Sequence, residues 1–116
     1  MQQKRRILVA EPDDQILGLL KRWLGEAGYA VVVSAENGGD AHLVIVDVPD
    51  PLGAEKIIES IRLVHAGAIL LLSARFRQGM GSSSSVARQL GVRNVLPKPF
   101  TRDELLSAVV ESLGGQ

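Results

Sequence analysis

The side chains most able to do chemistry in this sequence stand directly after short apolar runs. They are two carboxylates after ILVA (Glu11 and Asp13), one after LVIV (Asp47), a hydroxyl after AILLL (Ser73) and an ammonium shortly after NVL (Lys98). Carboxylate oxygens are ligands that Mg²⁺ prefers, with water completing its shell. A carboxylate held between a cation and a metal ion can attack a phosphoryl group, a reaction that depends mainly on positioning and charge neutralisation. These residue types therefore suggest phosphoryl chemistry, provided that the fold brings them together.

The apolar runs are the predicted strands, and they alternate with segments of helical spacing. Strands are predicted at residues 7–10, 30–35, 43–46, 68–72 and 94–96, and helices at 14–27, 54–64, 84–90 and after Thr101. Thr101 and Glu104 have the spacing of a capping box at the start of the last helix. Strands that are apolar throughout are typical of a parallel sheet with helices on both faces. The sequence thus predicts an α/β fold with a doubly wound, five-stranded parallel sheet.

The candidate side chains all follow predicted strands, which places them at one edge of the predicted sheet. In doubly wound folds, ligands bind beyond the carboxyl ends of the strands. We therefore expect Glu11, Asp47 and Lys98 to lie close together although they are far apart in the sequence.

One crossover is unusually short. Only the seven residues ENGGDAH separate Ala35 from Leu43. A crossover that contains a helix usually needs at least ~10–12 residues. We therefore predict that the second helix of the pattern, between the second and third strands, is shortened or absent.

Length and composition exclude several classes of function. The 116 residues suit one domain, so we treat residues 1–116 as a single unit. Thirteen basic side chains balance thirteen acidic ones, which argues against direct binding to nucleic acid or to a membrane surface. The absence of cysteine excludes disulfides and thiolate sites. No segment has the pattern of a secretory signal or a membrane span, so we expect a cytoplasmic protein.

With these residues in view, the sequence resembles the receiver domains of bacterial two-component response regulators. The pieces that carry the resemblance are ILVAEPDDQILGLL, LVIVDVPDP, LLLSA and LPKPF, and the resemblance extends from about Arg6 to Leu113. It implies a flavodoxin-like sheet with strand order 2-1-3-4-5, as in chemotaxis receivers. It also implies a signalling protein rather than an enzyme. A histidine kinase or phosphotransfer protein would donate the phosphoryl group, and a downstream protein would be the target.

The resemblance implies a role for each residue at the predicted edge. Asp47 matches the phosphoryl acceptor of the family. Ser73, Ala74 and Lys98 match the residues that bind the phosphoryl group or leave room for it. The Lys98–Pro99 peptide bond matches one that is cis in the family.

The magnesium site implied by the resemblance departs from the family pattern. Its ligands would be Glu11, Asp13, Asp47 and the backbone carbonyl of Pro49. Pro12 stands where the family has a second acid that binds the metal directly, and proline has no side-chain oxygen. We therefore expect Mg²⁺ binding to be weak or lost.

Two functions remain open from the sequence. In the first, Asp47 accepts a phosphoryl group in a Mg²⁺-dependent phosphorelay. In the second, the chain is a degenerate receiver that acts as a phosphorylation-independent protein-interaction module. Val95 favours the second, because many receivers have at its position an aromatic residue that moves on activation. Pro12 and the short second crossover favour it as well.

Some polar residues have a simpler structural interpretation. Asp13 or Asp14 could cap the first helix, since aspartate is a leading N-cap residue. His42 and His65 lack the spacing of metal ligands, and we expect both to lie on the surface.

Overall fold

The computed structural model describes residues 5–33, 41–48, 53–65, 67–74 and 83–114. Its five strands are β1 (Arg6–Ala10), β2 (Ala30–Val32), β3 (Leu43–Asp47), β4 (Ala68–Ser73) and β5 (Asn94–Pro97). Four helices occur in the described residues: α1 (Asp14–Glu26), α2 (Glu55–Val64), α3 (Ser83–Leu90) and α4 (Arg102–Ser112). The predicted shortening of the helix between β2 and β3 concerns residues 34–40, which lie outside the described residues.

The strands form one parallel sheet in the order β2-β1-β3-β4-β5, which confirms the predicted fold and topology. In the register between strands, Asp47 lies opposite Leu72 and Ser73 lies opposite Pro97. The carboxyl ends of β3, β4 and β5 are therefore nearly level. This register brings the residues that follow these strands to a common edge.

Apolar residues cover both faces of the sheet. The cluster on the side of α1 and α4 contains Ile7, Val9, Leu20, Leu24, Leu43, Ile45, Leu70, Leu72, Leu96, Leu105, Ala108 and Val109. The cluster on the side of α2 and α3 contains Val46, Val48, Ala54, Ile58, Ile69, Leu71, Ala87, Val92 and Val95. Successive residues of a strand point to opposite faces, so a strand buried on both faces must be apolar at every position. Each fully buried aliphatic side chain contributes about 1.5–3 kcal/mol relative to its exposed state.

The last helix begins as the sequence predicts. The Thr101 hydroxyl accepts a hydrogen bond from the Glu104 amide at 3.1 Å, and the Glu104 carboxylate accepts one from the Thr101 amide at 2.8 Å. This reciprocal pair is the capping box, and it satisfies two amides that the helix itself leaves unpaired. None of the helices within the described residues is both long and apolar enough to cross a membrane.

The two histidines differ in their surroundings. His42 is exposed, as predicted, and its Nδ1 accepts a hydrogen bond from the Arg6 amide at 3.0 Å. The prediction for His65 was wrong, because only 7% of this residue is exposed. Helix α2 ends at Val64, as predicted, and the backbone of His65 is extended.

Candidate functional site

Three charged side chains meet at the carboxyl edge of the sheet. Asp47 is the last residue of β3, Glu11 directly follows β1, and Lys98 directly follows β5. The Lys98 Nζ lies 2.5 Å from Glu11 Oε1 and 2.7 Å from Asp47 Oδ1. One ammonium therefore bridges two carboxylates. Because β4 lies between β3 and β5, the long lysine side chain reaches across the end of β4 to its partners.

The three side chains differ in how much solvent they reach. The exposed fraction is 1% for Glu11, 13% for Lys98 and 18% for Asp47. A buried carboxylate is costly unless it is paired, and Lys98 supplies that pairing for Glu11. Asp47, in contrast, remains open to an incoming group. Two carboxylates and one ammonium leave the cluster with one excess negative charge.

The end of β4 contributes to the same edge. Ser73 is fully buried, and its backbone carbonyl accepts a hydrogen bond from the Lys98 amide at 2.9 Å. Ala74 follows it and is exposed. The Lys98–Pro99 peptide bond is cis, as the resemblance implied. The structure thus places Ser73, Ala74 and Lys98 together at the end of two neighbouring strands.

Known proteins share both the sequence pattern and the fold. The chemotaxis protein CheY of Bacillus subtilis is 28% identical in an alignment 120 residues long, which covers 93% of this chain and 97% of CheY. The transcriptional regulatory protein CpxR of Escherichia coli is 29% identical over 114 residues, and the chain spans about half of it, since the match covers 47% of CpxR. A response regulator structure from Thermotoga maritima superimposes with a TM-score of 0.75 at 21% identity, covering 96% of this chain and 98% of that one. No protein-family model matches the sequence.

The similarity to CheY extends over nearly the whole of both chains. The similarity in sequence to CheY and CpxR supports a response-regulator receiver domain. The fold agrees with this assignment, since the strand order 2-1-3-4-5 is the order seen in chemotaxis receivers.

Asp13 caps a helix instead of joining the predicted magnesium ligands. Its carboxylate accepts hydrogen bonds from the amides of Gln15 at 2.9 Å and Ile16 at 3.1 Å, so it is the N-cap of α1. Pro12, which precedes it, is exposed. The carboxylate is directed to the helix because an N-cap satisfies two amides that α1 leaves unpaired. The structure therefore unites Glu11 and Asp47 but not Asp13.

Replacing Asp13 with alanine is expected to lower the free energy of unfolding by about 1 kcal/mol, since the cap is lost. Asp13→Ser is the matched control, because serine caps equally well but does not supply a carboxylate. Urea denaturation of both variants checks this. If Asp13→Ser lost as much stability as Asp13→Ala, the cap would not be the main role. A fall in Mg²⁺ affinity in Asp13→Ser, which keeps the cap, would restore Asp13 to the ligand set.

The residues at this edge fit a magnesium ion, but with fewer protein ligands than the sequence predicted. Within the ranges that the structure describes, no three acidic or histidine side chains are grouped so that they could hold one metal ion. Glu11 and Asp47 supply two carboxylates, and Mg²⁺ commonly binds through one or two carboxylates while keeping several waters. Pro49, the predicted carbonyl ligand, lies outside the described residues. Glu11 and Asp47 therefore suit an ion held largely by water and by phosphoryl oxygens.

The neighbours of Lys98 determine its protonation. Burial disfavours the charged ammonium and by itself lowers the pKa of Lys98. Hydrogen bonds and charges from Asp47 and Glu11 act in the opposite direction and outweigh burial, so the pKa of Lys98 lies above its ordinary value. The lysine is therefore a permanent cation at neutral pH.

The stability contributed by Lys98 is expected to disappear at high pH. Below the ordinary lysine pKa of about 10.4, the group is protonated in the folded and unfolded chains, and its ion pairs contribute fully. As pH rises through the raised pKa of the folded state, this contribution is lost. Denaturation of the unmodified protein and of Lys98→Met, repeated from neutral pH to beyond that pKa, should show a stability difference that shrinks. A difference that stays constant would contradict the assignment.

Sequence reasoning missed two features of the edge. It assigned Glu11 to a metal but did not predict its ion pair with Lys98, which joins residues 87 positions apart. It also missed an apolar groove lined by Ile16, Leu19, Trp23, Ala74, Lys98, Pro99 and Phe100. The rings of Trp23 and Phe100 pack edge to face there, with centroids 6.4 Å apart.

Proposed function

We propose that this receiver domain accepts a phosphoryl group on Asp47 from a phosphohistidine of a histidine kinase or phosphotransfer protein. The observation that carries the proposal is the position of Asp47. Its partly exposed carboxylate lies at the carboxyl edge of the sheet, 2.7 Å from the Lys98 ammonium. The names of the relatives, a chemotaxis protein and a transcriptional regulatory protein, support a role in signalling.

The proposed reaction forms one bond and breaks one. A carboxylate oxygen of Asp47 attacks phosphorus, the bond between phosphorus and the donor imidazole nitrogen breaks, and the imidazole leaves with the electron pair. The product is an aspartyl phosphate with more negative charge than the carboxylate that it replaces. Lys98 stays protonated and can pair with a phosphoryl oxygen, since charge-assisted hydrogen bonds of this kind are short and strong. We assign Ser73 as a hydroxyl donor to the phosphoryl group and Ala74 as the small residue that leaves room for it.

Magnesium would be held by Glu11 and Asp47 together with water. When bound, such an ion supplies neutralisation of phosphoryl charge. Glu11 already has a cationic partner in Lys98, and Pro12 supplies no side-chain oxygen. We therefore propose weak Mg²⁺ binding and slow phosphorylation.

A second candidate function has support from particular residues. Lys98 is already neutralised by two carboxylates, so the edge is stable in the absence of a phosphoryl group. Val95 is 1% exposed and lies within the aliphatic cluster beside α2 and α3, so this position has no aromatic ring that could move on activation. These observations favour a phosphorylation-independent interaction module.

Phosphorylation with a small donor separates the two functions. Incubation with acetyl phosphate and Mg²⁺ is expected to add one phosphoryl group to the chain, detected by intact-protein mass spectrometry. Asp47→Asn should abolish the addition, because the amide is a poor nucleophile. Asp103→Asn is the matched control, since it makes the same change at an exposed position in the first turn of α4 and should leave the addition intact.

The same experiment can reject the phosphorelay. If the unmodified protein gains no mass at millimolar Mg²⁺, and beryllofluoride causes no change in its NMR spectrum, the interaction module is the better function. Mass gain that persists in Asp47→Asn would assign the acceptor to another residue. The downstream target is proposed to be a protein in either case.

A further inference from the structure

A second group of residues lies at the opposite edge of the sheet, where the strands begin. Arg5 directly precedes β1, His42 precedes β3, Gly67 precedes β4 and Arg93 precedes β5. These residues, together with the end of α2, surround two adjoining clefts. The clefts are separated from the Asp47 edge by the length of the strands, so they do not belong to the site described above.

The first cleft, of about 450 Å³, is lined by two arginines and one histidine: Arg62, Arg93 and His65. Both arginines are exposed, and neither makes an ion pair within the part of the chain that the structure describes. The guanidinium of Arg62 donates a hydrogen bond to the Gly91 carbonyl, which holds it over the cleft. No described acidic residue lines this cleft. The local charge is therefore positive in a protein whose formal net charge is zero.

The second cleft, of about 390 Å³, continues from the first. Both are lined by Gly67, Ala68 and Arg93, and the second also includes Arg5 and Ser112. Its described lining likewise lacks acidic residues. The two clefts together have the size typical of small-molecule sites, roughly 300–1,000 Å³.

Two residues that line these clefts each have a buried polar side-chain atom without a hydrogen-bond partner in the described part of the chain. Among the described residues, the buried side-chain atoms without a partner are His65 Nδ1 and Ser112 Oγ. His65 is 7% exposed and lines the first cleft, and Ser112 is 1% exposed and lines the second. An unpaired buried polar group costs about 1–3 kcal/mol, so two of them beside one continuous opening call for an explanation. A bound polar ligand would provide it.

We propose that the first cleft binds the phosphate group of a small phosphate compound, either free phosphate or a phosphomonoester. Guanidinium groups bind phosphate oxygens in a bidentate manner, and Arg62 and Arg93 supply two of them. His65 supplies a ring nitrogen that can donate to the same anion. The second cleft has room for the rest of a small ester, whose hydroxyl groups would pair with Ser112. This proposal does not depend on phosphorylation of Asp47.

The site can be tested by titrating the full chain with sodium phosphate and recording the amide NMR chemical shifts. A parallel titration with sodium chloride at equal ionic strength is the reference. Saturable shifts are expected at Gly67, Gly91 and Val92. Arg93→Ala should weaken binding about tenfold, as expected for a lost hydrogen bond to a charged group. Arg22→Ala is the matched control, because it removes the same charge from an exposed residue of α1 that lines neither cleft, and binding should be unchanged.

Ribose 5-phosphate tests the second cleft. The Ser112→Ala variant removes an unpaired buried hydroxyl, so the ligand-free protein should be no less stable than the unmodified one. It should bind ribose 5-phosphate more weakly and inorganic phosphate equally well. Binding of inorganic phosphate alone would assign the site to the free anion and reject the extension into the second cleft.

Three results would overturn the phosphate site. One is the absence of saturable shifts at tens of millimolar phosphate. Another is a set of shifts confined to the Asp47 edge. The third is an equal loss of phosphate affinity in Arg93→Ala and Arg22→Ala. That result would show that phosphate binding depends on the net charge of the protein rather than on this cleft.

Discussion

Replacing Lys98 with methionine is expected to lower the free energy of unfolding by about 3 kcal/mol at neutral pH. The substitution keeps most of the apolar stem and removes the charge, so Glu11 and Asp47 are left as two neighbouring carboxylates without their shared cation. Glu11 is almost fully buried, with 1% of its side chain exposed, and it cannot regain water without opening the edge. Breaking a buried pair in this way typically costs about 3–5 kcal/mol, and the partial exposure of Asp47 and Lys98 favours the lower end.

Arg22→Met provides the matched control for Lys98→Met. The pair between Arg22 and Glu26 has side chains that are 73% and 50% exposed, and such surface pairs contribute less than about 1 kcal/mol. Urea denaturation followed by circular dichroism measures both losses. Equal losses of unfolding free energy in the two variants would show that burial does not strengthen the ion pairs of Lys98.

The double variant Lys98→Met with Glu11→Gln should recover much of the lost stability. It removes the buried negative charge along with its partner, and replacing a whole buried pair is often close to neutral. The coupling between the two substitutions measures the interaction directly. Additive losses would place the effect of Lys98 in packing rather than in charge.

Replacing Gly67 with alanine is expected to destabilise the protein by about 2–3 kcal/mol, because the added methyl group overlaps backbone atoms. Its Cβ would lie 2.5 Å from the Ala41 carbonyl oxygen and 2.8 Å from that of His42. The His42 carbonyl also accepts a hydrogen bond from the Ala68 amide at 3.1 Å, so the two segments are tied together at this point. Neither backbone can move away without disturbing the pairing of β3 with β4.

Gly18→Ala is the same chemical change with the opposite expected sign. Gly18 lies inside α1, and a Cβ there meets no atom within 4 Å. Alanine is favoured over glycine in a helix by about 0.5–1 kcal/mol, so this variant should be more stable than the unmodified protein. Thermal denaturation of the two variants side by side measures the difference. Destabilisation by Gly18→Ala, or none by Gly67→Ala, would contradict the packing described for these two glycines.

The fold was predictable because its determinants are local in the sequence. The run LVIV that forms β3 is apolar at every position, which is required of a strand buried on both faces. The capping box of Thr101 and Glu104 spans four residues and can be predicted directly from their types. The strand order came from the resemblance to receiver domains, since apolar runs do not specify which strands are neighbours.

The local surroundings of single polar residues were less predictable. Asp13 could be a metal ligand or a helix cap on sequence grounds, and the structure shows it in the cap. His65 was expected at the surface, but α2 ends just before it and its side chain is buried. In each case the nearby helix boundary was predicted correctly, but the partners of the side chain depend on its surroundings in the folded chain, which sequence patterns do not specify.

The sequence by itself determined the secondary-structure elements, the parallel sheet and the residues that gather at its carboxyl edge, because burial and capping act over short stretches of chain. Only the tertiary structure decided that Lys98 joins Glu11 to Asp47. It also decided that two clefts at the other edge are lined by Arg5, His42 and Arg93, which precede three different strands. These contacts join residues that are distant in the chain. Their distances follow from strand order and register, which no short stretch of sequence contains.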